Sequence, residues 1–463
     1  MTASKVLRRP LPALALGVAL LSGCSMMPAY ERPAAPVAGE WSYPSAAAGL
    51  QATELPWQQF FTDDRLRQLI TIALANNRDL RVAILSIEQA RAQYDIRRAD
   101  RLPTVGAQVT GSRVPNSSGG NTSTYTAGLA FTAWEIDLFG RVASLSEAAL
   151  AQYLATEEGR RAAQTSLVAT VAATWLGLVA DQELIELTRQ TLATREESLR
   201  LAKLRFDNGV TSELDFRQAQ SLAETARVTL AQLTRQQALD LNTLALLLGQ
   251  AVPPDPGVAA TTASVSLPDL PAGTPSDVLT RRPDVRQAEQ QLIAANANIG
   301  AARAAFFPRI SLTAGVGSAS SELSGLFKGG SWGFTVAPQL IQPIFDAGRN
   351  RAGLASATAA REIGIAQYER AIQAAFREVS DALAGRATFG EQLRAQSAVA
   401  EAEAARYRLS ELRYNNGIAS YLDLLDAQRS LFAAQQALVQ TRLQQLQNRV
   451  QLYRALGGGW TGS

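Results

Sequence analysis

Apolar and polar positions along this 463-residue chain change their period in the same order twice. Residues 63–101 and 283–307 read as helices, and each run stops at a proline, Pro103 or Pro308, because proline disfavours helical backbone in the residue before it. Beyond each proline the period becomes two. Val105, Ala107 and Val109 alternate with Gly106, Gln108 and Thr110; Ile310, Leu312, Ala314 and Val316 alternate with Ser311, Thr313, Gly315 and Gly317. Returning strands follow, with Tyr125, Ala127, Leu129 and Phe131 set against Thr126, Gly128, Ala130 and Thr132, and later Trp332, Phe334 and Val336. The connections 113–124 and 319–331 are rich in Ser and Gly, as turns are.

Then comes a long proline-free run, 141–206, in which Val171, Leu178, Ile185, Leu192, Leu199 and Phe206 recur every seven residues, the spacing of a coiled coil. At 1.5 Å per residue such a helix is on the order of 100 Å long, beyond any ordinary globular element or a bilayer. Its counterpart is 349–414. Each ends at Asn-Gly, in Asp207-Asn208-Gly209-Val210 and Asn415-Asn416-Gly417-Ile418, which supplies the left-handed backbone that reverses a helix. Return helices run to Gly249 and Gly457.

The two halves are copies. Residues 204–249 align without a gap on 412–457, shifted by 208 positions, with Leu204-Arg205, Asn208-Gly209, Ser212, Leu214-Asp215, Ala219-Gln220, Gln236-Gln237 and Leu248-Gly249 recurring. Upstream, Arg98-Ala99 with Pro103 mirrors Arg303-Ala304 with Pro308. The organisation expected is a leader at 1–23, an extended segment at 24–60, a first repeat at 61–249, a linker at 250–277, a second repeat at 278–457 and a tail at 458–463. The linker holds six prolines and reads as an irregular belt.

Four strands of about ten residues, apolar on one face and small or polar on the other, match transmembrane barrel strands; hairpins packed on helices in a soluble protein are the alternative. No apolar run beyond the N-terminus reaches the length of a spanning helix, so a membrane crossing is expected to use the strands. Four strands cannot close a barrel, since the smallest have about eight. Several chains are therefore expected to share one.

The N-terminus carries Lys5, Arg8 and Arg9, an apolar stretch over 11–21, and Leu21-Ser22-Gly23-Cys24, the lipobox pattern in which the cysteine receives lipid. Cys24 is the only cysteine, which excludes an internal disulfide or a thiolate cluster. Removing the three leader cations from a net charge of +3 leaves 41 basic against 41 acidic residues, not a nucleic-acid signature. With no histidine, no phosphate loop and no nucleophile set, the expectation is that the chain is not an enzyme and carries no cofactor or metal beyond diacylglycerol and an N-palmitoyl group on Cys24.

Together with the lipobox, the duplication and the turned coiled coils, four stretches carry a resemblance. They are Thr132-Ala133-Trp134-Glu135-Ile136-Asp137-Leu138-Phe139-Gly140-Arg141, Arg281-Arg282-Pro283-Asp284, Gly300-Ala301-Ala302-Arg303-Ala304-Ala305-Phe306-Phe307-Pro308, and Leu424-Leu425-Asp426-Ala427-Gln428-Arg429-Ser430-Leu431. The sequence resembles the outer-membrane factor family of tripartite efflux pumps, the TolC-like proteins, and within it the OprM-like lipoproteins of the NodT group.

That resemblance implies an α+β membrane protein: a homotrimer whose twelve strands form one barrel in the outer membrane, continued into the periplasm by a coiled-coil helical barrel. It implies a passive exit duct for small molecules such as drugs, working with a periplasmic adaptor and an inner-membrane pump of the resistance-nodulation-division type. Ducts for metal ions or secreted proteins, and a lipid-anchored structural coiled coil, remain alternatives.

The resemblance also assigns site residues. Leu422, Asp423, Asp426 and Arg429 match the periplasmic gate, whereas an isolated acidic pair there would read as solvated carboxylates favoured by the helix macrodipole. Asp215, Arg413 and Tyr414 match positions that bond across neighbouring helices at the closed end. Gly209, Val210, Gly417 and Ile418, small and apolar at the turns, are the expected adaptor-docking tips. Arg281-Arg282-Pro283-Asp284 is expected to be structural.

Overall fold

The computed structural model describes residues 25–43, 52–117, 119–254 and 261–460. Cys24 and the leader lie outside the described residues. The helices are α1 (Trp57–Phe60), α2 (Asp64–Asn76), α3 (Arg78–Ala99), α4 (Arg141–Asp207), α5 (Glu213–Leu248), α6 (Pro275–Arg281), α7 (Pro283–Ala304), α8 (Arg349–Asn415) and α9 (Tyr421–Ala455). The strands are β1 (Gly106–Pro115), β2 (Asn121–Ile136), β3 (Arg309–Ser320) and β4 (Trp332–Ile341). The long helices α4 and α8 have 67 residues each and start 208 positions apart, the spacing of the sequence repeat.

Five expectations need correction. The helix expected over 63–101 is broken at Asn77, whose side chain accepts from the Leu80 N–H (2.9 Å) and so caps α3, while its amide donates to the Leu247 carbonyl (2.9 Å). The segment 24–60 contains α1, and the linker 250–277 contains the start of α6, which Pro275 opens from a first-turn position where its missing N–H costs nothing. β2 runs to 16 residues rather than about ten. Finally, α4 does contain an 18-residue stretch apolar enough to cross a membrane by length and composition, but 61% of it is buried within the chain.

The chain divides into two compact units. The first comprises 1–34, 86–157 and 287–369. It holds one antiparallel sheet in the order β1-β2-β3-β4. Directly opposed residues give rows across it. Ala107, Leu129, Val316 and Phe334 form one row, and Phe131, Ala314 and Val336 form part of the next, all on one face. Gln108, Gly128, Gly317 and Gly333 form a row on the other, flanked by Thr110 and Thr126, whose hydroxyls are bonded at 2.6 Å. The apolar face is exposed: Val109, Leu129, Val316, Trp332, Phe334 and Val336 all stand open. Gly128 and Gly317 sit opposite each other, and a Cβ on either would come within 2.4 Å or 2.3 Å of the facing carbonyl oxygen, so only glycine fits at both positions.

At one end of the sheet Glu135 closes the β2–β3 seam, accepting two bonds from Arg141 (2.7 Å each) and pairing with Arg309 at 2.6 Å. An N-terminal strap lies along α7. The Met26 and Pro28 carbonyls accept from Arg303 (3.5 Å) and Asn296 (2.9 Å), and Glu289 accepts from Tyr30 (3.1 Å) and, bidentately, from Arg32 (2.6 and 3.0 Å). Residues 289, 296, 300 and 303 follow helical spacing on one face, and Gly300 makes room for Met27.

The second unit comprises 35–85, 158–286 and 370–463. Its core gathers Phe60, Phe61, Ile70, Trp175, Leu244, Leu248, Val379, Leu383 and Tyr453. The rings of Phe60 and Tyr453 stack at 4.1 Å, and the Tyr453 hydroxyl donates to the Leu55 carbonyl (2.8 Å). Buried Arg282 binds Asp284 (2.7 Å), Glu378 (2.8 Å) and the Ala455 carbonyl (2.8 Å), tying the α7 start to the α9 end. That is the structural role expected of the Arg-Arg-Pro-Asp motif. Of the heptad positions, Val171, Leu178 and Ile185 are buried, while Leu192, Leu199 and Phe206 are half-buried as α4 approaches its turn.

Candidate functional site

The two reversing turns are built alike. In each the glycine, Gly209 (φ 69°) or Gly417 (φ 70°), is left-handed. The Gly209 N–H donates to Phe206 and the Val210 N–H to Arg205; the Gly417 N–H donates to Tyr414 and the Ile418 N–H to Arg413. Both sets form the paired bonds of a Schellman motif, which satisfy the orphan carbonyls at the helix end. Arg413 enters the site through this backbone carbonyl. Val210 and Ile418, the apolar residues of the turns, stand 74% and 69% exposed.

Serine caps both return helices. Ser212 accepts from the Asp215 N–H (3.1 Å), and Ser420 accepts from the Asp423 N–H (3.2 Å) while Asp423 accepts back from the Ser420 N–H (3.2 Å), a full capping box. Asp215 accepts from the Thr211 and Ser212 hydroxyls (2.7 and 2.8 Å), which hold its carboxyl below the usual carboxylate range. Asp426 is bound by Arg406 and lies 3.7 Å from Arg429. Leu422 is exposed beside them.

The expected bond between Asp215 and Tyr414 is not among those the described residues make. One oxygen of the Asp215 carboxylate accepts within its own turn, and the Tyr414 hydroxyl oxygen accepts from Arg205, whose guanidinium also sits 5.7 Å from the Tyr414 ring. Both residues nevertheless line one cavity of about 540 Å³ with Arg205, Tyr407, Tyr421 and Gln428. The Tyr414 and Tyr421 rings meet at 5.3 Å, and burial pushes the Tyr421 hydroxyl up to about 12.

Arg205, Arg406 and Tyr421 are the residues that sequence reasoning passes over. Arg205 has a signal in the repeat, since it is the counterpart of Arg413. Arg406 has one in the turn, because it and Asp426 lie equally far from Asn416 on antiparallel helices. Among the described residues no group of three or more acidic, His or Cys side chains could hold a metal ion.

A family profile, described as outer membrane efflux protein, matches 69–250 and again 274–458. This chain belongs to that family. The outer membrane efflux protein profile thus meets it twice, once in each half. Among its relatives, the chain is 49% identical to the probable efflux pump outer membrane protein TtgC of Pseudomonas putida, across 98% of this chain and 96% of that one. It is 47% identical to the outer membrane protein OprJ of Pseudomonas aeruginosa, across 96% and 95%. Its fold is similar to the open state of the MtrE outer membrane channel of Neisseria gonorrhoeae, with a TM-score of 0.87 at 41% identity over 94% of this chain and 99% of that one.

Proposed function

We propose that the chain is the exit duct of a tripartite efflux pump: a passive homotrimeric channel in the outer membrane, lipid-anchored at Cys24, that carries drugs or solvents outward. The sheet carries this reading. Its apolar face is exposed, and β1 and β4 are edge strands whose outer N–H and C=O groups have no strand beside them among the described residues. In lipid such edges are unsatisfied, and closure against further copies is the remedy. Three copies give twelve strands, enough to leave a lumen where two would not. Membership of the outer membrane efflux protein family and the efflux names of the relatives support the same conclusion.

In this reading the helices of three copies continue the barrel as a tunnel through the periplasm. The turns at Gly209-Val210 and Gly417-Ile418 meet a periplasmic adaptor, the inner-membrane pump supplies the energy, and the duct performs no chemistry itself. Leu422, Asp423, Asp426 and Arg429 line the narrow end, held inward by contacts such as Arg205–Tyr414. The test is functional replacement. In a host stripped of its own duct but supplied with a matching adaptor and pump, the full chain should lower the accumulation of a dye substrate. Accumulation equal to that of the empty host would defeat the proposal.

A further inference from the structure

Arg195 on α4 is 3% exposed, yet no carboxylate binds it among the described residues. Its Nη1 donates to the Leu222 carbonyl on α5 (3.1 Å), and its guanidinium lies 5.0 Å from the Phe432 ring on α9. These contacts place the group without neutralising it, because a carbonyl and a ring face offer only partial charge. Its Nε has no partner, nor does the Oε1 of buried Gln428. Both residues line a cavity of about 170 Å³ between α4 and the α8–α9 pair; the Thr191, Thr194 and Tyr407 hydroxyls in its wall already donate to Leu187, Gln190 and Glu411, which leaves Arg195 Nε as the donor without a partner.

The carboxylates nearby are engaged elsewhere. Asp426 is held by Arg406 and Arg429, Glu411 accepts from Tyr407 (3.1 Å), and Glu197 is paired with Arg200 (2.7 Å). Arg429 adds a second positive charge that, after burial itself, lowers the affinity of Arg195 for its proton. A buried guanidinium stays charged, since its intrinsic affinity for the proton is too high to give up, and an uncompensated buried charge is strongly unfavourable.

We propose that this cavity is a binding site for a small monovalent inorganic anion that accepts from Arg195 Nε, with a water molecule donating both to the anion and to Gln428 Oε1. The volume admits a halide with a water molecule and excludes a drug-sized molecule, for which pockets of roughly 300 Å³ or more are usual. The anion neutralises Arg195 where α4, α5 and α9 meet, and so stabilises the helical wall without touching the transported substrate. It is independent of the tip contacts and of the duct reading.

Chloride is the probe. Thermal unfolding of the purified full chain in detergent is measured while chloride replaces gluconate at constant ionic strength. The wild type should gain stability saturably with chloride, as binding to the folded state alone requires, and Arg195→Met should lose that response. Wild type and variant responding alike, or neither responding, overturns the proposal. Should Arg195→Met fail to fold, crystals of the wild type grown in bromide decide the matter by anomalous scattering. A bromide peak within hydrogen-bond reach of Arg195 Nε supports the site, and no peak there, or a carboxylate from a second copy in its place, refutes it.

Discussion

Arg205, in the last turn of α4, donates a hydrogen bond to the hydroxyl of Tyr414, in the last turn of α8, so the ends of the two long helices are joined side chain to side chain. Each helix then reverses through its own Schellman turn within a few residues. The link therefore sits at the last point where α4 and α8 can be held together before the chain turns back.

Removing this link is expected to loosen the tip. A hydrogen bond to a charged group contributes about 1.5–3 kcal/mol at most, and less here because Arg205 is exposed. In the proposed trimer three such contacts act together, and their loss shifts the proposed opening equilibrium further. Arg205→Ala and Tyr414→Phe should each raise single-channel conductance in planar bilayers, with little further gain in the double variant. Arg413→Ala, whose part is played by its carbonyl, should leave conductance near wild type. Conductance rising with Arg413→Ala but not with Arg205→Ala would reverse the assignment.

The acidic residues of the proposed gate should separate into two behaviours. Asp423 completes a capping box from the third helical position, so Asp423→Ala should cost about 0.3–1.5 kcal/mol of helix stability. Asp426 neutralises Arg406 and Arg429, and Asp426→Ala leaves two guanidiniums without it. Reversal potentials in asymmetric salt should then move towards anion selectivity for Asp426→Ala, more than for Asp423→Ala. Equal shifts in the two variants would show that both carboxylates face the lumen alike.

A buried acid gives the stability a pH dependence. Burial first, and then the neighbouring Asp240, push the Asp181 carboxyl up to about 7. A raised carboxyl favours the fold fully below its unfolded value of about 3.9, and that contribution is lost as pH rises from there through about 7. Apparent Tm should fall across that window, and Asp181→Asn should flatten the fall and raise Tm at pH 8. An identical pH profile in the variant would place the titrating group elsewhere.

Much of this was legible in the sequence because the signals are periodic or duplicated. Alternation at Val105–Val109 and Ile310–Val316 marked the strands, and Asn-Gly at 208–209 and 416–417 marked the turns. What escaped depends on pairing between distant elements. The break at Asn77 is fixed partly by the Leu247 carbonyl, 170 positions away, and no local proline or glycine announces it. Tyr414 accepts from Arg205, a contact that depends on how α4 and α8 lie side by side and that no local pattern announces. The clamp of Glu135 on Arg141 and Arg309 joins the two halves at a point where their sequences differ, so the repeat could not disclose it.

Lipid attachment is expected at Cys24, two residues ahead of the strap that begins at Met26. Labelled palmitate should enter the wild type and be lost in Cys24→Ala, since the chain has no other thiol. Label retained in the variant would contradict the assignment.

The central claim is that several copies close one barrel around the unpaired edges of β1 and β4. Native mass spectrometry of the full chain released from detergent tests it most directly. A species of three chains is expected, and none of two. A stable monomer carrying the folded sheet would contradict both the shared barrel and the duct.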